Sequence, residues 1–190
     1  ARMRMFNLDG SEGKMCGNAI RCVAKYLYDN NIVRKLNMTI ETLSGIKELT
    51  LFTKNGLVSS VRVNMGRAEL EPKQIPVMLP GESVIDRPVT IGGKEYSITC
   101  VSMGNPHCVI FCGSVDEISP AQLGPVIECC ELFPDRVNVE FVEIMGRNNL
   151  KMRVWERGNG ETLACGTGAC ASAVAAVLCG YADKDSDIKV

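Results

Sequence analysis

Cys16 and Cys165 each stand where a glycine-containing loop runs into an apolar stretch, in Met15-Cys16-Gly17-Asn18-Ala19 and Ala164-Cys165-Gly166-Thr167-Gly168. Superposing the two cysteines also superposes Glu12 on Glu161 and Gly17 on Gly166, the mark of an internal repeat. A thiol at a helix start feels the positive end of the macrodipole, which favours thiolate and is expected to lower its pKa. The amides that follow, at Gly17, Asn18, Gly166 and Thr167, belong to the N–H groups that no carbonyl of their own helix can reach, and they suit a carboxylate. Two such helices facing each other would place one carboxylate between two sets of donors, with a thiol on each side of the adjacent carbon. One thiolate could then remove an α-proton and the opposite thiol deliver another, which inverts a stereocentre. A lone buried cysteine is usually a small core hydrophobe; the paired context singles these two out.

The elements that position them follow from periodicity. Ile20, Val23, Ala24 and Leu27 recur at helical spacing and predict a helix over 17–30, ended by Asn30-Asn31. Residues 36–42 alternate as a half-buried strand, with Leu36, Met38 and Ile40 on one face. Strands over 49–53 and 58–65 flank an Asn55-Gly56 turn. A proline-punctuated stretch over 72–81 is the expected domain boundary. Beyond it, 89–91 and 96–101 flank Gly92-Gly93 as a second hairpin, and 107–112 reads as a buried strand. Ser119-Pro120 opens a short helix that Gly124-Pro125 is expected to interrupt. Strands over 137–142 and 150–157 precede a last helix over 166–178, so apolar all round that sheet should enclose it. Helix and then strands, twice, without regular alternation, predicts an α+β fold of mainly antiparallel sheets, each around a central helix.

Composition narrows the chemistry. With 190 residues and a net charge of −1, the chain can bury a core and shows no basic footprint for nucleic acid. Its ten cysteines include no C-x-x-C pair and there is one histidine, so neither a zinc site nor any other metal is expected. Several cysteines lie in apolar stretches and read as reduced core residues. Without a signal peptide or a membrane-length apolar run, a cytoplasmic protein with no membrane contact is expected.

Five blocks carry a resemblance: Phe6-Asn7-x-Asp9-Gly10-Ser11, Met15 through Cys22, Ser102-Met103-Gly104-Asn105-Pro106-His107-Cys108, Arg136-Val137-Asn138-Val139-Glu140-Phe141, and Glu156-Arg157-Gly158 through Gly168. In this order they resemble the diaminopimelate epimerase family, cofactor-independent enzymes that interconvert L,L- and meso-diaminopimelate in lysine and cell-wall precursor synthesis. Related proline racemases usually carry a histidine after their first Cys-Gly, where this chain has Asn18. The resemblance implies two pseudo-symmetric halves with the active site in the cleft between them. The halves would span residues 1–75, incomplete at the N-terminus, and 76–190, incomplete at the C-terminus, with terminal strands missing. It implies Cys16 and Cys165 as the acid/base pair and Gly17, Asn18, Gly166 and Thr167 as amide donors to the reacting carboxylate. Asn7, Asn105, Asn138 and Arg157 would hold the distal amino-acid head, with Glu156 near a substrate ammonium. His107 is placed as a pocket neighbour without a proton-transfer role. Diaminopimelate is the implied partner, no cofactor is needed, and uncovered sheet edges fit a homodimer. A racemase of another amino acid, an inactive substrate-binding fragment, and a redox protein joining Cys16 to Cys165 stand as alternatives.

Overall fold

The computed structural model describes residues 1–6, 10, 12–13 and 15–190. The chain divides into two units, Ala1–Gly66 and Arg67–Val190. The sequence expectation placed this boundary at 75–76. In the structure Glu69 pairs with Ser102, with both backbone bonds at 2.9 Å, and Ile75 and Val77 are core residues of the second unit.

In the first unit a two-residue hairpin, β1 (Met5–Phe6) with β2 (Glu12–Gly13), leads to helix α1 (Gly17–Asp29). A three-stranded antiparallel meander follows, β3 (Asn37–Thr42), β4 (Gly45–Lys54) and β5 (Leu57–Val63), in that spatial order. Ile20 and Ala24 of α1 are fully buried against Met38, Ile40, Leu49, Leu51 and Val58. Leu36 falls before β3 and is exposed, although its carbonyl accepts from Leu51 N–H at 2.7 Å. The β4–β5 turn places Asn55 at φ 55° and Gly56 at φ 80°, the two positive-φ positions a tight hairpin needs. Asp29, at the end of α1, accepts from Val58 N–H at 2.9 Å and from Lys25 at 2.6 Å, which ties the helix to β5.

The second unit is built on one six-stranded sheet. Its strands are β6 (Arg87–Ile91), β7 (Lys94–Ser102), β8 (Pro106–Cys112), β9 (Asn138–Gly146), β10 (Asn149–Glu156) and β11 (Gly160–Thr162). They lie in the order β11-β10-β9-β8-β7-β6, and every neighbouring pair is antiparallel except β8 with β9. That parallel pair requires a crossover, and helix α2 (Pro120–Glu128) lies within it. Helix α3 (Gly166–Leu178) closes the fold. Adjacent strand residues point to opposite faces, and this separates the helices. Leu123 and Ile127 of α2 pack with Cys100, Cys108, Val139 and Phe141. On the other face, α3 meets Met152 through Ser172 at 3.3 Å, and its C-cap Cys179 meets Thr99 at 3.4 Å.

Helix α2 runs without a break to Glu128, contrary to the expected interruption at Gly124-Pro125. Pro125 forfeits one backbone bond, whereas Gly124 is what lets the helix approach the sheet: a Cβ there would lie 2.2 Å from Trp155 Cγ. The architecture is α+β, and among the described residues no helix is long and apolar enough to cross a membrane.

Candidate active site

Both cysteines are helix N-caps. Cys16 precedes α1 with extended backbone, φ −139° and ψ 116°, and its Sγ accepts from Ala19 N–H at 3.5 Å. Cys165 precedes α3 with φ −121° and ψ 116°, and its Sγ accepts from Gly168 N–H at 3.4 Å. Sulfur therefore takes the place of the usual capping oxygen, three residues before its donor in each helix. Gly17 and Asn18 occupy the first two helical positions after Cys16, and Gly166 and Thr167 do so after Cys165; no carbonyl of its own helix can reach an amide there.

The repeat extends further than the cysteines. Arg4 donates to Glu12 from Nε at 2.8 Å and from Nη2 at 3.0 Å, and Phe6 pairs with Glu12 across the β1–β2 ladder. In the second unit Arg153 donates to Glu161 from Nε at 2.9 Å and from Nη2 at 2.6 Å, while Trp155 pairs with Glu161 across β10–β11. Each cysteine thus follows a short hairpin braced by an arginine–glutamate fork. The spacing that superposes the cysteines also carries Arg4 onto Arg153 and Phe6 onto Trp155, a signal the sequence reading left unused.

Cys165 is 7% exposed and sits in a buried polar network of the second unit. Thr167 Oγ1 lies 3.4 Å from its Sγ, and Asn105 Nδ2 donates to that hydroxyl at 3.3 Å. Asn105 Oδ1 is 3.1 Å from His107 Nε2, and His107 Nδ1 is 2.7 Å from Glu140 Oε1. The expectation that the helix start lowers the thiol pKa fails at Cys165. Burial dominates and, with Glu140 and Glu156 adding negative charge nearby, pushes it up to about 11, against the pull of the Thr167 and Gly168 hydrogen bonds. At neutral pH this group is a thiol, a proton donor. Its alkylation by iodoacetamide, followed at the Cys165 peptide by mass spectrometry, is expected to rise about tenfold per pH unit between about pH 8 and 10. A plateau below about pH 9 would contradict the burial argument.

Among the other sequence-predicted residues, Asn105 and Thr167 join Cys165 directly. Asn138 is 4% exposed; its Nδ2 donates to Pro106 O at 2.7 Å and its Oδ1 accepts from Arg157 N–H at 3.0 Å. It thereby fixes the start of β8 and the turn after β10. Arg157 Nη1 donates to Asp135 O at 3.0 Å, and Glu156 Oε1 accepts from the Thr162 hydroxyl across the β10–β11 hairpin. In the first unit Asn18 Oδ1 accepts from Arg21 Nη2 at 2.6 Å. Asn7 lies outside the described residues. Glu140 joins this network although the sequence alone assigned it no role. The signal was its parity: Val137, just before β9, and Val139 and Phe141 on it face α2, so Asn138 and Glu140 face α3.

Comparison with known proteins places this geometry. The sequence profile described as diaminopimelate epimerase matches residues 1–71 and 99–190. The diaminopimelate epimerase of Methanococcus maripaludis is 52% identical over 189 residues, covering 100% of this chain and 68% of that protein. That of Acetivibrio thermocellus gives the same identity and coverage. Among solved structures, a probable proline racemase from Agrobacterium radiobacter K84 with bound carbonate superposes with a TM-score of 0.73 at 17% identity, over 97% of this chain and 58% of that one. A hydroxyproline epimerase from Agrobacterium vitis with bound trans-4-hydroxy-L-proline gives 0.69 at 15% identity, over the same shares. These two share the fold. With about half of its residues identical to curated relatives along its whole length, the chain belongs to the diaminopimelate epimerase family of enzymes.

Proposed function

We propose that this chain interconverts L,L- and meso-diaminopimelate by two-base proton transfer at one α-carbon, with Cys16 and Cys165 as base and acid and no added cofactor. The observation that carries the reading is the matched placement of the two thiols, each the N-cap of a helix whose start favours a carboxylate. The α-proton of an amino acid is only weakly acidic, so the enzyme must stabilise the developing negative charge and hold the carbon in line with both sulfurs. Amides of Gly17, Asn18, Gly166 and Thr167 do the first. Asn7, Asn105, Glu156 and Arg157 supply the second by holding the distal amino acid, and Asn138 keeps the Arg157 turn and the Asn105-Pro106 corner in register. Binding energy from the distal end is then available at the reacting carbon.

A protonated Cys165 fits the acid of this pair. In that direction the Cys16 sulfur, as thiolate, takes the α-proton and Cys165 delivers its own proton to the opposite face, so the carbon loses one proton and gains one and the two sulfurs end with their protonation exchanged. The test is incubation of the reduced protein with L,L-diaminopimelate alone, with chromatographic separation of the isomers. Appearance of the meso isomer, and of the L,L isomer from meso, is the expected result. A folded protein that leaves both isomers unchanged while racemising proline or hydroxyproline would overturn the substrate assignment.

A further inference from the structure

Glu128 is the last residue of α2 and only 5% exposed, a poor place for an acidic side chain, because a helix C-terminus carries partial negative charge and burial adds a desolvation cost. Its contacts account for it. Oε2 accepts from the Trp155 indole N–H at 2.7 Å, and Oε1 accepts from the Gly158 backbone N–H at 2.9 Å. Both partners are donors only, so two acceptor atoms are needed at once; a carboxyl group offers two oxygens where glutamine offers one. Arg136 Nη1, 3.8 Å from Oε1, adds a positive charge on the outer side. Gly158 is an exposed turn residue at φ 76°, a left-handed backbone that glycine adopts without cost. A buried acid on a helix thus holds an amide of an exposed turn. The residue before that amide is Arg157, and its own N–H is held too, by Asn138 Oδ1 at 3.0 Å. Asn138 stands on the α3 face of the sheet, whereas α2 packs on the opposite face. The Arg157 Cα lies between these two planar peptide units, so holding both fixes its φ and ψ and with them the direction of its side chain. Its Nη1 then reaches Asp135 O at 3.0 Å.

We propose that Glu128 is a positioning residue for Arg157: with Asn138 it clamps the two peptide units that flank Arg157, and so aims the guanidinium that holds the distal head of the substrate. The consequence for substrate rests on the epimerase reading above, whereas the clamp stands on the contacts alone. Distal binding energy is what the reacting carbon draws on, so α2, on the far face of the sheet from α3 and Cys165, reaches the chemistry through this turn.

Glu128→Gln keeps the size of the side chain and one acceptor. Its carbonyl should stay on the Trp155 indole, which packs against the core, and its NH2 would then meet the Gly158 N–H, donor against donor. In the wild-type protein the Gly158 amide should exchange with heavy water at least about tenfold more slowly than a free peptide amide, and in Glu128→Gln this protection should vanish. Exchange at the free-peptide rate in the wild type would overturn the proposal. Modification of Arg157 by phenylglyoxal, followed by peptide mass spectrometry, should quicken roughly threefold to tenfold in Glu128→Gln as the turn loosens. Arg147 in the same sample, held by Asp183 and Gly180 O, should keep its rate. An unchanged Arg157 rate in a folded variant would also overturn the proposal. In the reaction, kcat/KM for diaminopimelate should fall about tenfold in Glu128→Gln and no further when that change is added to Arg157→Ala; equal falls in both backgrounds would show a general packing role and refute the positioning. If Glu128→Gln fails to fold, Glu128→Asp, one methylene shorter and unable to span both donors, gives the same readouts, and Gly158 exchange in the wild type still decides. Amide exchange and arginine modification use no substrate, so absence of epimerisation would leave them standing, and their failure would leave epimerisation standing.

Discussion

Cys16→Ala and Cys165→Ala, made separately, should each lower kcat/KM for diaminopimelate by at least about 10³-fold while leaving the protein folded. General acid–base catalysis contributes typically ~10²–10⁴ per positioned group, and in a two-base inversion neither thiol can stand in for the other because they serve opposite faces of the carbon. The structural cost is small. Cys16 gives up one long Sγ contact to Ala19 N–H at 3.5 Å, and Cys165 gives up its contacts to Gly168 N–H and to the Thr167 hydroxyl, both at 3.4 Å. Losing a cap costs about 1 kcal/mol, which should lower the melting temperature by a few degrees at most. Steady-state kinetics with far-UV circular dichroism checks both halves of the expectation. A single variant that keeps more than about a tenth of wild-type kcat/KM would remove the two-base assignment.

Gly124→Ala should destabilise the second unit by about 3 kcal/mol or more and lower activity with it, although Gly124 is on α2, across the sheet from α3 and its cap Cys165. The added Cβ would stand 2.2 Å from Trp155 Cγ, 2.5 Å from Cδ2 and 2.6 Å from Cβ. Trp155 cannot step aside. Its backbone is paired with Val139 on β9 and Glu161 on β11, and its Nε1–H is held by Glu128 of the same helix at 2.7 Å. The helix must lift instead, which strains Ile127 and Leu123 in the core and costs more than the ~1–3 kcal/mol usual for one overpacked methyl. Glu128 also accepts from Gly158 N–H at 2.9 Å, so a displaced α2 loosens the turn that carries Arg157. Urea unfolding monitored by the single tryptophan gives the measurement. Gly113→Ala is the control, because a Cβ there meets nothing within 4 Å and should leave stability unchanged. Equal midpoints for the two variants would contradict the close-approach argument.

The elements with strong local signals were legible in the sequence. Helix α1 announced itself by the spacing of Ile20, Val23, Ala24 and Leu27, and both hairpins by Asn55-Gly56 and Gly92-Gly93, whose positive φ angles the turns demand. The Cys-Gly pairs marked the two helix starts. Features set by long-range packing were not legible. Nothing local shows that Gly124 exists to meet Trp155, so Pro125 read as an interruption. Nothing local shows that β8 and β9 run in parallel and bring His107 within reach of Glu140, thirty-three residues further on. The thiol of Cys165 illustrates the same limit. Its helix position was readable and argues for a lowered pKa, whereas the burial that outweighs it comes from tertiary structure. In the first unit the spacing of Arg4 and Glu12 was readable but went unnoticed until Arg153 and Glu161 showed the same fork.

If the two thiols have opposite roles, the new α-proton cannot be the one that was removed. Reduced protein equilibrated in heavy water would be given unlabelled L,L-diaminopimelate, and the meso product and recovered substrate of the earliest turnovers analysed by NMR and mass spectrometry. One deuterium is expected at the inverted carbon of every product molecule and none in recovered substrate, because the base that takes the proton is not the acid that returns one. Product that keeps the substrate's own α-proton, or substrate that exchanges without inversion, would contradict it.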